Sequence, residues 1–287
     1  MTASHAQRRY VMNDSLRENL SYYGLFIRML SVKKIIKPES VSYGAHKNQY
    51  FLYYEPKQVS SDKVFVWIHG GGWNAGNPKF FDFVGQAMAG YGYRFVSIGY
   101  RLSPKHKYPC QIEDVCEGYQ AAINYLKSKG IQTDRIVISG PSAGAHLSSI
   151  LVYNDAIRER MKVDLSGVIG FIGVGGPYRF DTASLALKLL LNQLFEKDYN
   201  RAEGEPCKLM NQSSIPMLLI QSRHDGIIDY SSAEAFHKRA VEIGNKCELY
   251  SVEDKKNTHS WYTAGMFLET REQNKGLHKL LTWIENL

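Results

Sequence analysis

The chain has 287 residues, 44% of them apolar and 22% charged, a balance that excludes a largely disordered protein and predicts a sizeable folded core. Its net charge of +7 comes from scattered Lys and Arg, so no nucleic-acid surface is expected. No run approaches the ~18 apolar residues of a membrane span, so stable membrane insertion is not expected either. Cys110, Cys116, Cys207 and Cys247 form no C-x-x-C pair and no zinc spacing with histidine. Residues 1–13 hold no apolar leader, so the expected setting is the cytoplasm, with reduced thiols.

Residues 15–31 place Leu16, Leu20, Tyr23, Ile27 and Leu30 at steps of three and four, which predicts a helix with one apolar stripe. The stripe suits packing on the main body or a flap over a substrate pocket, and left exposed it would suit a homodimer. Residues 1–38 are therefore set apart as an N-terminal helical segment, with a cap as one of its readings, from a catalytic domain over 39–287. Val41–Tyr43 and Tyr50–Tyr54 read as a hairpin. Strands follow at Val64–Ile68, Arg94–Ile98, Arg135–Ser139, Val168–Val174, Met217–Gln221 and Glu248–Val252. Helices are predicted over Ile112–Lys127, Ala143–Tyr153, Ser231–Ile243 and Thr263–Leu287. Strands alternating with helices imply an α/β fold with a mostly parallel sheet covered on both faces. Residues 178–212, with a Leu-rich helix at Leu185–Phe195, interrupt that rhythm and read as an insertion where lids often sit.

Gly140-Pro141-Ser142-Ala143-Gly144 matches G-x-S-x-G and lies between a strand and a helix, the context this nucleophile motif requires. A strand that turns abruptly into a helix forces the serine into a sparsely allowed conformation, so its neighbours must be small. Serine needs a base and an orienting acid, which follow in this fold class in the order acid, then histidine. Asp225 lies just past the strand Met217–Gln221, and His259 follows the polar loop after the last strand. Asp229 is the fallback acid. His224 adjoins the proposed acid too closely to pair with it, His278 falls within the terminal helix, and His146 reads as a packing residue. His69-Gly70-Gly71-Gly72-Trp73 follows the strand Val64–Ile68 and nominates the N–H groups of Gly71 and Gly72, with that of Ala143, as the oxyanion hole. Phosphate-cradling glycine patterns are absent.

Together with Tyr100-Arg101-Leu102-Ser103-Pro104 and the string Ser142-Ala143-Gly144-Ala145-His146-Leu147, these motifs resemble the α/β-hydrolases of the hormone-sensitive-lipase-like esterase group. Its relatives include carboxylesterases, feruloyl and acetylxylan esterases, and kynurenine formamidases. The resemblance covers roughly residues 40–285 and implies an α/β-hydrolase fold. It also implies a structural ion pair between Arg101 and Asp114. Pro141 and Ala145 depart from the lipase-like pattern, which has Asp before the serine and Gly after the motif.

The expected chemistry is two-step acyl transfer on a small-molecule acyl ester by Ser142, His259 and Asp225, with no cofactor and no metal. Short acyl groups are expected, with Trp73 and Tyr178 as pocket walls. Arylformamidase activity on N-formylkynurenine is the alternative, and a non-catalytic ligand-binding member of the fold a remote one.

Overall fold

The computed structural model describes the backbone of residues 3–287 and the side chains of residue 14 and residues 16–287. The leader reading of residues 1–13 concerns side chains outside that set. Among the described residues, eight strands form one sheet in the order β1-β2-β4-β3-β5-β6-β7-β8. These are β1 (Glu39–Ser42), β2 (Tyr50–Tyr54), β3 (Val64–Ile68), β4 (Arg94–Ile98), β5 (Ile136–Pro141), β6 (Val168–Val174), β7 (Met217–Ser222) and β8 (Cys247–Val252). β1 and β2 pair antiparallel, β2 joins β4 antiparallel, and every pairing from β4 to β8 is parallel.

Parallel strands need covered faces, and the apolar side chains divide accordingly. Along β3, Val64, Val66 and Ile68 enter one core, while Phe65 and Trp67 enter the other, the two-residue alternation of a pleated strand. The first core lies under α3 (Cys110–Ser128), α4 (Ala143–Tyr153) and α8 (Tyr230–Glu242), the second under α2 (Asp82–Gly90) and α10 (Lys275–Glu285). The stretch 178–212 carries α6 (Leu185–Leu194), a 3-10 turn at Arg201–Gly204 and α7 (Pro206–Leu209). The shorter α2 and α5 (Asp155–Met161) have no counterpart in the sequence reading, because neither runs long enough to establish a 3.6-residue period. The four cysteines are free thiols, and no described helix is long and apolar enough to cross a membrane.

Two expectations are corrected. The terminal helix read as Thr263–Leu287 is three pieces: α9 (His259–Thr263), a 3-10 turn at Gly265–Leu268, and α10. The break has a local cause: the Asn274 side chain accepts from the N–H of Leu277 and starts a new helix there. The second correction concerns α1 (Ala3–Leu30). Its apolar stripe does not pack on the body; Leu16, Leu20, Tyr23, Ile27 and Leu30 are all exposed. The inward side carries Asp14, Glu18, Ser21 and Leu25, and it docks on α9 and the turn that follows.

One ion pair fixes the segment after β4. The fully buried carboxylate of Asp114 accepts from Arg101 Nε (2.8 Å), Arg101 Nη2 (2.6 Å), the Arg101 backbone N–H (2.7 Å) and Gln49 Nε2 (2.9 Å). Two residues on, the Ser103 N–H donates to the Trp73 carbonyl, so the pair braces the glycine loop from behind. Asp114→Ala leaves the Arg101 N–H and the Gln49 amide without their acceptor, so it is expected to lower unfolding free energy by about 2–3 kcal/mol in urea titration.

Candidate active site

The sharpest turn in the chain lies where β5 meets α4. Ser142 sits at φ 52°, ψ −121°, a left-handed conformation that costs a non-glycine residue roughly 1–3 kcal/mol. Neighbouring structure holds it there: its N–H donates to the Val174 carbonyl on β6 at 2.8 Å, and its carbonyl accepts from His146. Gly144 is required by close approach, because a Cβ there would lie 2.0 Å from the Ile68 carbonyl oxygen at the end of β3. Ser142 is half-buried at the head of α4, where the helix dipole favours developing negative charge.

Asp225 and His259 come together from the ends of β7 and β8. His259 Nδ1 pairs with Asp225 Oδ2 at 2.7 Å, and both side chains are buried. The carboxylate is held independently. Its Oδ1 accepts from the N–H groups of Ile227 and Ile228 at 2.8 Å each, and its Oδ2 from Gln221 Nε2 and the Tyr262 hydroxyl. Burial by itself disfavours a charged imidazole, but the charge and hydrogen bond of Asp225, with the charge of Glu18, outweigh it and raise the His259 pKa. A carboxylate that fixes Nδ1 leaves Nε2 as the basic nitrogen. Ser142 and His259 line the same cavity, without a direct hydrogen bond between them among the described residues. In unliganded enzymes such contacts are often long and tighten when substrate binds.

The loop after β3 forms another side of the cavity. Gly71 has φ 110°, and a Cβ there would meet the Ala75 carbonyl oxygen at 2.3 Å; Gly72 has φ 58°. The Gly71 carbonyl accepts from Asn74 and Ala75, which curls the loop on itself. His69 is buried against Tyr100, ring centroids 4.2 Å apart, and burial pushes its pKa down to about 4. Trp73 is buried with its Nε1 donating to His146 Nδ1 (3.3 Å), and His146 Nε2 bonds the Gly204 carbonyl (2.7 Å). His146, expected as a packing residue, thus ties the glycine loop to the 178–212 stretch.

The cavity measures about 650 Å³, within the range of small-molecule sites. Gly70 to Gly72, Trp73, Ser142 and His259 line it beside Phe80, Phe81, Leu187, Leu190, Ile227 and Ile228. From α1 come Tyr22, Tyr23, Leu25, Phe26 and Met29, so one member of the apolar stripe, Tyr23, also lines the cavity. Tyr178, expected as a wall, does not line it; Pro177 does. Tyr178 lies beneath, stacked on Phe236 at 4.3 Å, because the chain turns inward to pack against α8. Asp229 caps α8 by accepting from Ser231 and is not the partner of His259. His278 is exposed on α10, and His224 lies 3.6 Å from Asp14. Sequence reading missed Gln221, Tyr262 and Glu18. Tyr262, one turn after His259, had a spacing signal; Glu18, on the polar side of a distant helix, had none. Among the described residues no group of three His, Cys, Asp or Glu side chains is placed to hold a metal.

Similar proteins place this fold. The Francisella virulence factor BioJ superposes at a TM-score of 0.75 with 18% identity, over 98% of this chain and 95% of that one. A hyperthermophilic esterase from Pyrobaculum calidifontis gives 0.74 at 15% identity, over 100% and 99%. These likenesses establish the α/β-hydrolase fold. Among sequences, an Oryza sativa subsp. japonica protein named "Probable isoprenylcysteine alpha-carbonyl methylesterase" is 25% identical over 240 residues, 76% of this chain and 56% of its own length. The Mycobacterium tuberculosis protein LipM, named "Probable carboxylic ester hydrolase", is 27% identical over 66% of this chain and 47% of its own length. The chain thus spans about half the length of the curated relatives it matches. Residues 52–240, well over half of the chain and the span from β2 through most of α8, match the family BD-FAE, and the chain belongs to that family.

Proposed function

We propose that the chain is a serine carboxylesterase that cleaves small acyl esters through an acyl-enzyme. The observation that carries this reading is the buried Asp225–His259 hydrogen bond beside a cavity that also holds Ser142 at a strained strand-to-helix turn. In the first step His259 takes the Ser142 proton as the hydroxyl attacks the acyl carbon. The oxyanion is held by the N–H groups of Gly71, Gly72 and Ala143, each worth about 10²- to 10³-fold in rate. His259 returns the proton to the leaving alcohol, and a water then repeats the sequence to release the acid. Ester hydrolases among the relatives support an ester over an amide.

The cavity walls support an apolar acyl or alcohol group, and Trp73 is read as part of that surface. Residues 1–38 are proposed as a cap, supported by the contribution of α1 to the cavity wall. A cytoplasmic setting is proposed on the four free thiols. The exposed stripe of α1 supports a homodimer, which sedimentation equilibrium is expected to show as twice the mass of one chain.

Ser142→Ala is expected to reduce turnover of p-nitrophenyl butyrate by roughly 10⁴-fold or more. Retained hydrolysis would overturn the mechanism. Across p-nitrophenyl esters the wild type should peak below octanoate, and N-formylkynurenine should turn over more slowly than the best ester. Because His259 must be neutral to act and its pKa is raised, kcat/KM is expected to fall on acidification with a midpoint above the ordinary imidazole value. Asp225→Asn should move that midpoint to lower pH and cost on the order of 10⁴-fold in kcat.

A further inference from the structure

The inward side of α1 is polar where a docking helix usually presents apolar residues. At its centre Glu18 is only 3% exposed. Its Oε2 accepts from the N–H of His259 at 2.5 Å, and its Oε1 from the N–H of Ser260 at 2.9 Å. These N–H groups open α9 and have no partner within that helix. Thr258 precedes them but its side chain does not cap them. The cap arrives instead from a residue 241 positions away in the chain. Beside it, the Ser21 hydroxyl bonds the hydroxyls of Thr258 (2.9 Å) and Ser260 (3.0 Å), and the Leu25 side chain packs against Gly265.

A carboxylate buried here costs free energy unless it is bonded and faces opposite charge. Burial, with the charge of Asp225, raises the Glu18 pKa, and the positive form of His259 and the hydrogen bonds from the Ser260 N–H and side chain act against that rise. The titratable groups facing it are His259 on α9, Asp225 after β7 and Tyr22 on α1. Asp14, one turn away on α1, faces His224. His259 is therefore held by two buried carboxylates that act differently. Asp225 bonds its ring, and Glu18 bonds its backbone.

We propose that Glu18 is a positioning residue for this site: it fixes the backbone of His259 and adds a second negative charge beside the imidazolium formed during acyl transfer. Docking of α1 thereby completes the base as well as walling the cavity. The proposal rests on reading His259 as the general base.

Two measurements test it, one of them independent of turnover. The first follows the His259 ring resonances by NMR titration in the Ser142→Ala background. There Glu18→Gln, which keeps the shape and removes the charge, is expected to lower the His259 pKa by roughly half a unit or more. The second compares kinetics on p-nitrophenyl butyrate. Glu18→Ala should lower kcat by about 10- to 100-fold with KM changed less than about twofold, and Glu18→Gln, which retains one acceptor, should recover part of the loss. The acid limb of kcat/KM in Glu18→Gln should move to lower pH along with the NMR value. Should Glu18→Ala fail to fold, Glu18→Gln alone decides. An unchanged titration overturns the electrostatic part, and kcat within twofold of wild type in every folded variant overturns the positioning part. If Ser142→Ala remains active the esterase reading fails instead, while the NMR result still decides whether Glu18 governs His259.

Discussion

The Asp225 carboxylate is the group on which the rest of the site depends. Among the described residues it accepts from five donors: Gln221 of β7, Ile227 and Ile228 of the following loop, and His259 and Tyr262 of α9. A buried charge is tolerable only when so bonded, so the donors and the acid define one another's positions. The loop after β7 must curl back to offer two N–H groups, and α9 must begin where its first and fourth residues both reach the same oxygen. After α9 the chain starts a separate helix, α10, where the Asn274 side chain accepts from the Leu277 N–H.

Strain is the complementary constraint. Ser142 adopts a positive φ only because β6 holds its N–H and because Gly144 lets α4 approach the end of β3 to a distance that no side chain would allow. The glycine loop after β3 is equally dependent on its surroundings. Arg101 and Asp114 brace it through Ser103 and Trp73, and His146 anchors Trp73 to the 178–212 stretch. Pro141, which departs from the lipase-like pattern, is the last residue of β5, where its ring limits the freedom of the strand just before the turn.

The N-terminal helix shows how a local pattern and a tertiary requirement can diverge. Periodicity offered its apolar stripe either to the body or to a flap over the pocket; in the structure the polar side faces inward and the stripe is exposed, with Tyr23 of the stripe lining the cavity. The unpaired N–H groups at the start of α9 explain the inversion. Leaving them buried and unsatisfied would cost on the order of 1–3 kcal/mol each, and a carboxylate from α1 satisfies both at once. The helix docks by its acceptors, and the apolar flank that remains inward, Leu25 and Met29, becomes cavity wall.

By itself the sequence determined the parts whose signals are local. Val64–Ile68, Arg94–Ile98 and Val168–Val174 form strands with the bounds read from their apolar runs, and α4 begins at Ala143 as the motif requires. That Asp225 meets His259 in a cavity shared with Ser142 was legible because the parallel strands β3 to β8 put their carboxyl ends on one rim, so chain order predicts which residues can meet. What only the tertiary structure decided has no local signature. Whether Asp225 or Asp229 bonds the histidine depended on which oxygen the returning loop presents. Tyr178 turns beneath the cavity because Phe236, 58 positions later by the sequence numbering, offers it a stacking face. Glu18 reaches His259 only because a distant helix end lacked acceptors. Periodicity reports how a segment could bury its own apolar side, whereas buried polar groups take their partners from wherever the completed fold brings one within reach.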